Sequence, residues 1–180
     1  MKLLIDVLAN YQRTHMKPLA PVLVHKIVHP VDEASFKTEP QPSRPNGSLP
    51  AVYSTPLAFA SALNADQKSV AVFPVVKRVG GIFRDRVGIG RTRNADIFVP
   101  YGNISKYHAY FSLLGDEWTL ADAGSTNGTT VDGVRIGKEL TKIASGQVLA
   151  FGSVAVQFYL QAHFTTFLEQ LTQLGVSKRM

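Results

Sequence analysis

The 180-residue sequence contains no cysteine. Disulfides, thiolate metal sites and a cysteine nucleophile are therefore excluded, and the redox compartment is left open. No apolar run approaches the roughly 18 residues that a membrane-spanning helix needs. The opening stretch MKLLIDVLANYQRTH is broken by Asp6 and followed by no small-residue cleavage site, so it does not read as a signal peptide. The expectation is a soluble cytoplasmic protein with no membrane contact. Acidic residues are few: 13 Asp and Glu stand against 19 Lys and Arg, for a net charge of +6. That balance suits an anionic partner such as nucleic acid, lipid or phosphorylated protein. The basic residues are scattered, however, and the densest group (Arg84, Arg86, Arg91, Arg93) surrounds a loop instead of lining a helix. No recognition helix and no aromatic-basic platform for nucleic acid stands out.

With 45% hydrophobic residues and 18% charged, most of the chain can bury a core. Leu4, Val7, Leu8 and Tyr11 recur at helical spacing, which predicts an amphipathic helix over residues 1–15, ended by Pro18 and Pro21. The β-branched run VLVHKIV at 22–28 suits a strand. Thr38–Pro50, TEPQPSRPNGSLP, has four prolines and reads as a linker. PLAFASALNAD at 56–66 suits a helical turn or two. From Lys68 onward short β-rich runs alternate with Gly, Asn and Asp, as in an all-β sandwich or barrel, and no βαβ alternation appears. Val131-Asp132-Gly133-Val134 has the composition of a type I′ hairpin. After residue 160 the pattern turns helical again: Phe164, Phe167, Leu168, Leu171 and Leu174 share a face, and Gly175 can end the helix. The division is an N-terminal extension at 1–67, a β domain at 68–160 and a C-terminal amphipathic helix at 161–180. The apolar faces of the terminal helices pack on the sandwich or on each other or, as an alternative, on a partner or a second copy.

Three inter-strand segments gather polar groups: Gly90-Arg91, Gly102-Asn103-Ile104-Ser105-Lys106-Tyr107-His108, and Gly124-Ser125-Thr126-Asn127-Gly128. Together they offer a guanidinium, an ammonium, hydroxyls, an amide and open glycine backbone, which is what an oxyanion with several acceptors requires. Gly88-Ile89-Gly90 lacks the third glycine of a dinucleotide loop, since position 93 is Arg. Ser105, His108 and Asp122 are the residue types of a hydrolase triad, but no nucleophile elbow or oxyanion hole is signalled, so no catalytic residue is assigned. The five histidines show no i, i+4 pairing, so no metal or cofactor is expected. Asp96 and Asp122 read as turn residues and Trp118 as a packing residue.

In order and spacing, Gly90-Arg91, Asn94-Ala95-Asp96-Ile97, Ser105-Lys106-Tyr107-His108-Ala109, Trp118 through Asp122 to Gly124-Ser125-Thr126-Asn127-Gly128-Thr129, Val131 to Ile136, and Phe151-Gly152 resemble the forkhead-associated (FHA) domain. The resemblance implies a β-sandwich of about eleven strands that binds phosphothreonine peptides on its apical loops and is not an enzyme. It implies that Arg91 binds the phosphate, that the Ser105 hydroxyl and the Lys106 ammonium join it, that Thr126 contacts the phosphate region, and that Asn127 holds the peptide backbone. Gly90, His108 and Gly128 fall where the family shapes its loops. Gly146-Gln147 stands where relatives commonly have Gly-Asp, remote from that site. The implied partner is a threonine-phosphorylated protein within a Ser/Thr kinase pathway. Thr38, in FKTEPQPS, is a candidate phosphosite through which the chain would bind itself or a neighbouring copy. A phospho-independent protein–protein scaffold is the alternative.

Overall fold

The computed structural model describes residues 2–14, 20–26, 70–81 and 83–175. Thr38, the Thr38–Pro50 linker and the helical reading of 56–66 lie outside the described residues. Two sheets face each other. The larger has the order β1-β3-β2-β12-β11-β8-β9 and is built from Lys2–Leu3 (β1), Val22–Lys26 (β2), Val70–Pro74 (β3), Thr129–Val131 (β8), Val134–Ile136 (β9), Val148–Phe151 (β11) and Val154–Tyr159 (β12). The smaller has the order β10-β7-β6-β4-β5 and is built from Val87–Gly90 (β4), Ile97–Phe98 (β5), Ala109–Leu114 (β6), Glu117–Asp122 (β7) and Thr141–Lys142 (β10). All pairings are antiparallel except β4 with β5. Helix α1 (Leu4–Thr14) and helix α2 (Gln161–Gln173) complete the described structure.

The core between the sheets follows the period of two along each strand. Val87 and Ile89 of β4, Ala109 and Phe111 of β6, and Val154, Val156 and Phe158 of β12 point inward. Phe111, Phe151 and Phe158 are fully buried, each worth about 2–3 kcal/mol of transfer free energy. Trp118 packs against this core at its margin. Strands β2, β3 and β12 are apolar on both faces, and a second core explains why. Val22, Val24, Val70, Val72 and Tyr159 face outward onto Leu4, Leu8 and Tyr11 of α1 and Phe164, Phe167, Leu168 and Leu171 of α2. The Tyr11 hydroxyl donates to Glu169 across the two helices. The molecule is thus three layers deep on one side, and the helix faces that could have served a partner are spent within the chain. Leu174 departs from the expected stripe: it lies past the end of α2 and is half exposed.

Two further differences concern the N-terminal region. Residues 2–3 pair with β3 as an edge strand, Lys2 opposite Val72, ahead of the helix, which raises the strand number to twelve among the described residues. Strand β2, from within the segment 1–67 set apart as an extension, lies at the centre of the larger sheet between β3 and β12. A boundary at 67/68 therefore divides neighbouring strands. An antiparallel pair needs only about two to five connecting residues, whereas residues 27–69 join β2 to β3. The Pro-rich composition of that insertion is what made everything before it look separate. Among the described residues no helix is long and apolar enough to cross a membrane.

Candidate functional site

The polar loops converge at one end of the sandwich because β4, β6, β7, β8, β11 and β12 all turn there. The first contact is steric. Gly90 is buried at the end of β4, and a Cβ on it would overlap the Lys106 carbonyl oxygen. Only glycine lets the β4–β5 loop lie against the β5–β6 loop this closely. The backbone then joins the two: Arg91 N–H donates to Ser105 C=O at 3.1 Å, and the Thr92 hydroxyl donates to Lys106 C=O at 2.9 Å.

His108 joins the second and third loops from a fully buried position. Its Nδ1 accepts from Ser105 N–H at 3.0 Å, and its Nε2 lies 3.1 Å from Gly128 C=O. The first bond needs an unprotonated Nδ1 and the second a proton on Nε2, so the arrangement specifies the neutral Nε2–H tautomer. Burial lowers the imidazole pKa below its ordinary value, against smaller opposing effects of the Gly128 carbonyl and Asp122. Phe151 meets the ring edge-on at 5.8 Å.

Asp122 organises the third loop from below. Its Oδ1 accepts from Gly124 N–H and Ser125 N–H at 2.7 and 2.8 Å, and its Oδ2 accepts from the Ser125 and Thr129 hydroxyls, each at 2.6 Å. Burial raises this carboxyl's pKa, but the hydrogen bonds outweigh it and hold the group below the usual carboxylate value. Ser125 Oγ also accepts Gly128 N–H at 2.9 Å. Gly124 and Gly128 both take φ of +83°, the left-handed conformation that closes this loop.

The exposed rim carries the groups that chemistry would use. Thr126 N–H donates to Ser105 Oγ at 3.1 Å, and the two hydroxyls are 3.5 Å apart. Arg91 and Lys106 are exposed, and among the described residues no carboxylate pairs with either. Asn127 is exposed too, but its Nδ2 donates to Asn103 C=O at 2.7 Å and so ties the third loop to the second. Asn103 in turn bonds Ser153, and Gly152 lies against both the Asn103 carbonyl and Asn127. The structure therefore brings Arg91, Ser105, Lys106, Thr126 and Asn127 to one rim, with Gly90, His108 and Gly128 beneath them. The sequence reading placed Asn103 and Ser125 in the polar segments without assigning them a role, and read Asp122 as a turn residue without foreseeing its four bonds.

Other polar groups stand apart from the rim. Asp96 accepts from Lys77 Nζ, Arg78 N–H and Gly88 N–H. Those bonds hold its pKa low despite burial, which raises it. Arg86 pairs with Asp85 and lies over Phe83 and Tyr110, and Arg93 lies over Phe98, so the outer face of the smaller sheet does carry stacked arginines. Tyr107 fills the space over Gly88, its hydroxyl buried without a partner and its pKa pushed up by burial to about 12.

Parts of this chain are similar to known proteins. Residues 87–152 match the family model described as FHA domain. The chain is 31% identical over 75 residues to the oxoglutarate dehydrogenase inhibitor of Corynebacterium jeikeium, covering 42% of this chain and 51% of that protein. It is 30% identical over 69 residues to the FHA domain-containing protein FhaB of Mycobacterium tuberculosis, covering 38% and 44%. The chain thus spans about half the length of the curated relatives it matches. Among solved structures, the FhaA FHA domain complexed with the intracellular domain of Rv3910 matches at 26% identity over 52% of this chain and 91% of that one, with a TM-score of 0.40.

Proposed function

Residues 87–152 of this chain are an FHA domain, and from that premise we propose that the protein is a phosphothreonine-peptide reader that recruits a threonine-phosphorylated partner through the rim of its three loops. One observation carries the reading. Exposed Arg91, unpaired by any described carboxylate, shares a rim with the bonded Ser105–Thr126 pair and with Lys106. A phosphothreonine brings a charge near −2 and three strong acceptor oxygens. A forked guanidinium, an ammonium and two short hydroxyls complement it. Nothing in this set acts as nucleophile or general base: the imidazole is buried and committed on both nitrogens, and the Asp122 carboxylate is fully engaged below the loop. The chemistry is recognition and not catalysis.

Arg91 is exposed, so its loss costs near the lower end of the range of about 2–5 kcal/mol for a charged hydrogen-bonded partner. The Ser105 and Thr126 hydroxyls are each worth roughly 1–3 kcal/mol toward a charged ligand. Preference for phosphothreonine over phosphoserine rests on one methyl group, about 1–3 kcal/mol in a fitted pocket. The test is binding of degenerate phosphothreonine, phosphoserine and unphosphorylated peptide libraries, with Arg91→Ala protein alongside. Phosphothreonine-dependent capture that Arg91→Ala abolishes supports the reading. A partner that Arg91→Ala retains would favour the phospho-independent scaffold. That alternative is left with the outer sheet face, because the helix faces are already packed.

Topology adds support for Thr38 as an internal ligand. Strand β2 runs toward the Gly152 end of β12, so Lys26 and its partner Val70 stand at the same end as the loops, and His25 meets Tyr101 edge-on at 5.7 Å. Thr38 follows Lys26 by about a dozen residues, a reach of at most roughly 40 Å. A tether of that kind supplies an effective concentration of about mM. Kinase treatment followed by mass spectrometry tests it, and an unmodified Thr38 removes the idea.

A further inference from the structure

The two outer faces of the sandwich are finished differently. Helices α1 and α2 cover that of the larger sheet, and among the described residues no helix packs on that of the smaller one. Alternation along the strands decides what the smaller sheet presents. Ala109 and Phe111 of β6 and Ile97 of β5 point into the core, so Tyr110 and Phe98 point out, each half-buried. Strand β4 runs between them with glycine at its outward positions, Gly88 opposite Tyr110 and Gly90 opposite Phe98. Tyr107 fills the trough over Gly88, and Phe83 meets it at 5.3 Å. Beside Tyr110 the outward positions hold only Ser112 and Ala121. Phe83, Phe98 and the Tyr107–Tyr110 pair come from separate stretches, so the linear sequence shows no platform. The charge on this face is arginine. Arg86 Cζ lies 4.6 Å from the centroid of Tyr110 and 5.1 Å from that of Phe83, and Arg93 Cζ lies 5.9 Å from that of Phe98. Arg84 is exposed next to Phe83 in the chain. Arg78 Nη1 donates to Arg93 C=O at 2.9 Å and to Ala95 C=O at 3.2 Å, which holds the Arg93 segment in place. The carboxylates of Asp85, Asp96 and Glu117 are spent on Arg86, Lys77 and Lys142, and among the described residues none pairs with Arg84 or Arg93.

We propose that this face binds single-stranded nucleic acid, with bases stacked against the Phe98–Arg93 and Tyr110–Arg86 pairs and phosphates held by Arg84, Arg86 and Arg93. None of these groups belongs to the rim set. A nucleotide brings a planar base and a phosphate together, and a ring that carries a guanidinium matches both: the pair offers a flat surface for the base and forked donors for the phosphate. An acidic peptide or a lipid headgroup brings the anion without the plane. Rings stack only on bases freed from pairing, and a flat sheet enters neither groove of a duplex, so the ligand is single-stranded. Phe98 and Tyr110 stand two strands apart and are offset by two residues along the sheet, which separates their Cα atoms by about 12 Å. That span suits the two or three bases (roughly) that a sheet face of this kind takes. The chain's net charge of +6 acts in the same direction.

The experiment titrates the full chain into a fluorescein-labelled oligothymidylate of about 12 nucleotides and reads anisotropy. The same strand paired with oligodeoxyadenylate is the duplex control. The variants are Phe98→Leu/Tyr110→Leu, which removes two rings and keeps apolar volume, Arg84→Ala/Arg93→Ala, and Arg91→Ala at the rim, with circular dichroism to establish that each is folded. Wild type binds the single strand with a Kd on the order of 10 µM at ~50 mM salt. The ring variant weakens binding about tenfold at unchanged charge. With three phosphates held, log K falls against log salt with a slope of about −2, and the Arg84→Ala/Arg93→Ala slope drops to about −0.7. Arg91→Ala stays within about twofold of wild type, as one exposed charge near the site allows. Equal affinity for the duplex, an unchanged affinity in the ring variant, or loss of binding in Arg91→Ala overturns the proposal. So does displacement by poly-glutamate as effective as that by unlabelled oligothymidylate, which would assign the face to an acidic protein. Arginine-dependent binding to vesicles of phosphatidylcholine and phosphatidylserine, with none to the strand, would overturn it in favour of a lipid surface.

Discussion

Replacing His108 with alanine tests whether the second and third loops form one hydrogen-bonded unit. The substitution strands the Ser105 N–H, whose acceptor is His108 Nδ1. It removes one of two donors to Gly128 C=O, which keeps Gly152 N–H. A buried donor left unpaired costs about 1–3 kcal/mol. Loss of the ring, with its edge contact to Phe151, adds a cavity cost of about 1–2 kcal/mol. The expected total is about 2–5 kcal/mol, read as a lower urea midpoint at unchanged m. Phosphopeptide affinity should fall as well, because Ser105 is no longer held against Thr126. The pH arm follows from the neutral tautomer. The folded pKa lies below the unfolded value of about 6.5. The unfolded chain therefore takes up a proton first, and the contribution is complete above about pH 6.5 and lost as pH falls from there through the folded value. His25 is also buried with a lowered pKa and contributes with the same sign, so the quantity to measure is the difference between wild type and variant. A loss below about 1 kcal/mol, or an identical pH slope in the two proteins, would refute the reasoning.

Three other substitutions probe separate parts of the account. Tyr107→Phe deletes a buried hydroxyl that has no partner and should leave stability unchanged or raise it by up to about 1 kcal/mol in urea denaturation, with binding intact. Asp122→Ala frees two hydroxyls and two backbone N–H groups at once and should cost about 3–5 kcal/mol. In the wild type the same carboxyl, held below its unfolded pKa, stabilises fully above about pH 4 and loses that contribution as pH falls through the folded value, which acid titration of the denaturation midpoint reads out. Gly90→Ala forces the first two loops apart against backbone and should cost about 1–3 kcal/mol in stability, together with loss of phosphopeptide binding by anisotropy.

How far the sequence announced this molecule depends on the range of the interactions involved. Strand β6 alternates between buried and half-buried residues over Ala109 to Ser112, whereas β7 is buried continuously from Thr119 to Asp122. The turn at Asp132-Gly133 was legible because only a type I′ turn places both residues at positive φ, here +48° and +81°. Strand β2 was legible as a strand but not as a member of the sheet. Its pairing crosses the whole of residues 27–69, and its two-sided burial erases the alternation that would have marked it. The two-residue β1 is too short to leave a pattern. At the candidate site, Arg91, Ser105, Lys106, Thr126 and Asn127 were singled out because the spacing of their segments resembles a family. Asn103 was given no role because it acts through bonds to other loops, with Asn127 and Ser153, and Ser125 none because its bonds to Asp122 and Gly128 depend on how the third loop closes. The stacking of Arg86 over Phe83 and Tyr110 joins segments that a linear reading keeps apart.

The most direct measurement is a titration of isotope-labelled protein with a phosphothreonine peptide, followed by backbone and arginine side-chain NMR shifts. The account predicts saturable changes at Arg91, Ser105, Lys106 and Thr126 through Gly128, none from the unphosphorylated peptide, and none from either peptide in Arg91→Ala. Changes confined to the outer face of the smaller sheet around Phe83, Tyr110 and Phe98, or equal responses to both peptides, would contradict it.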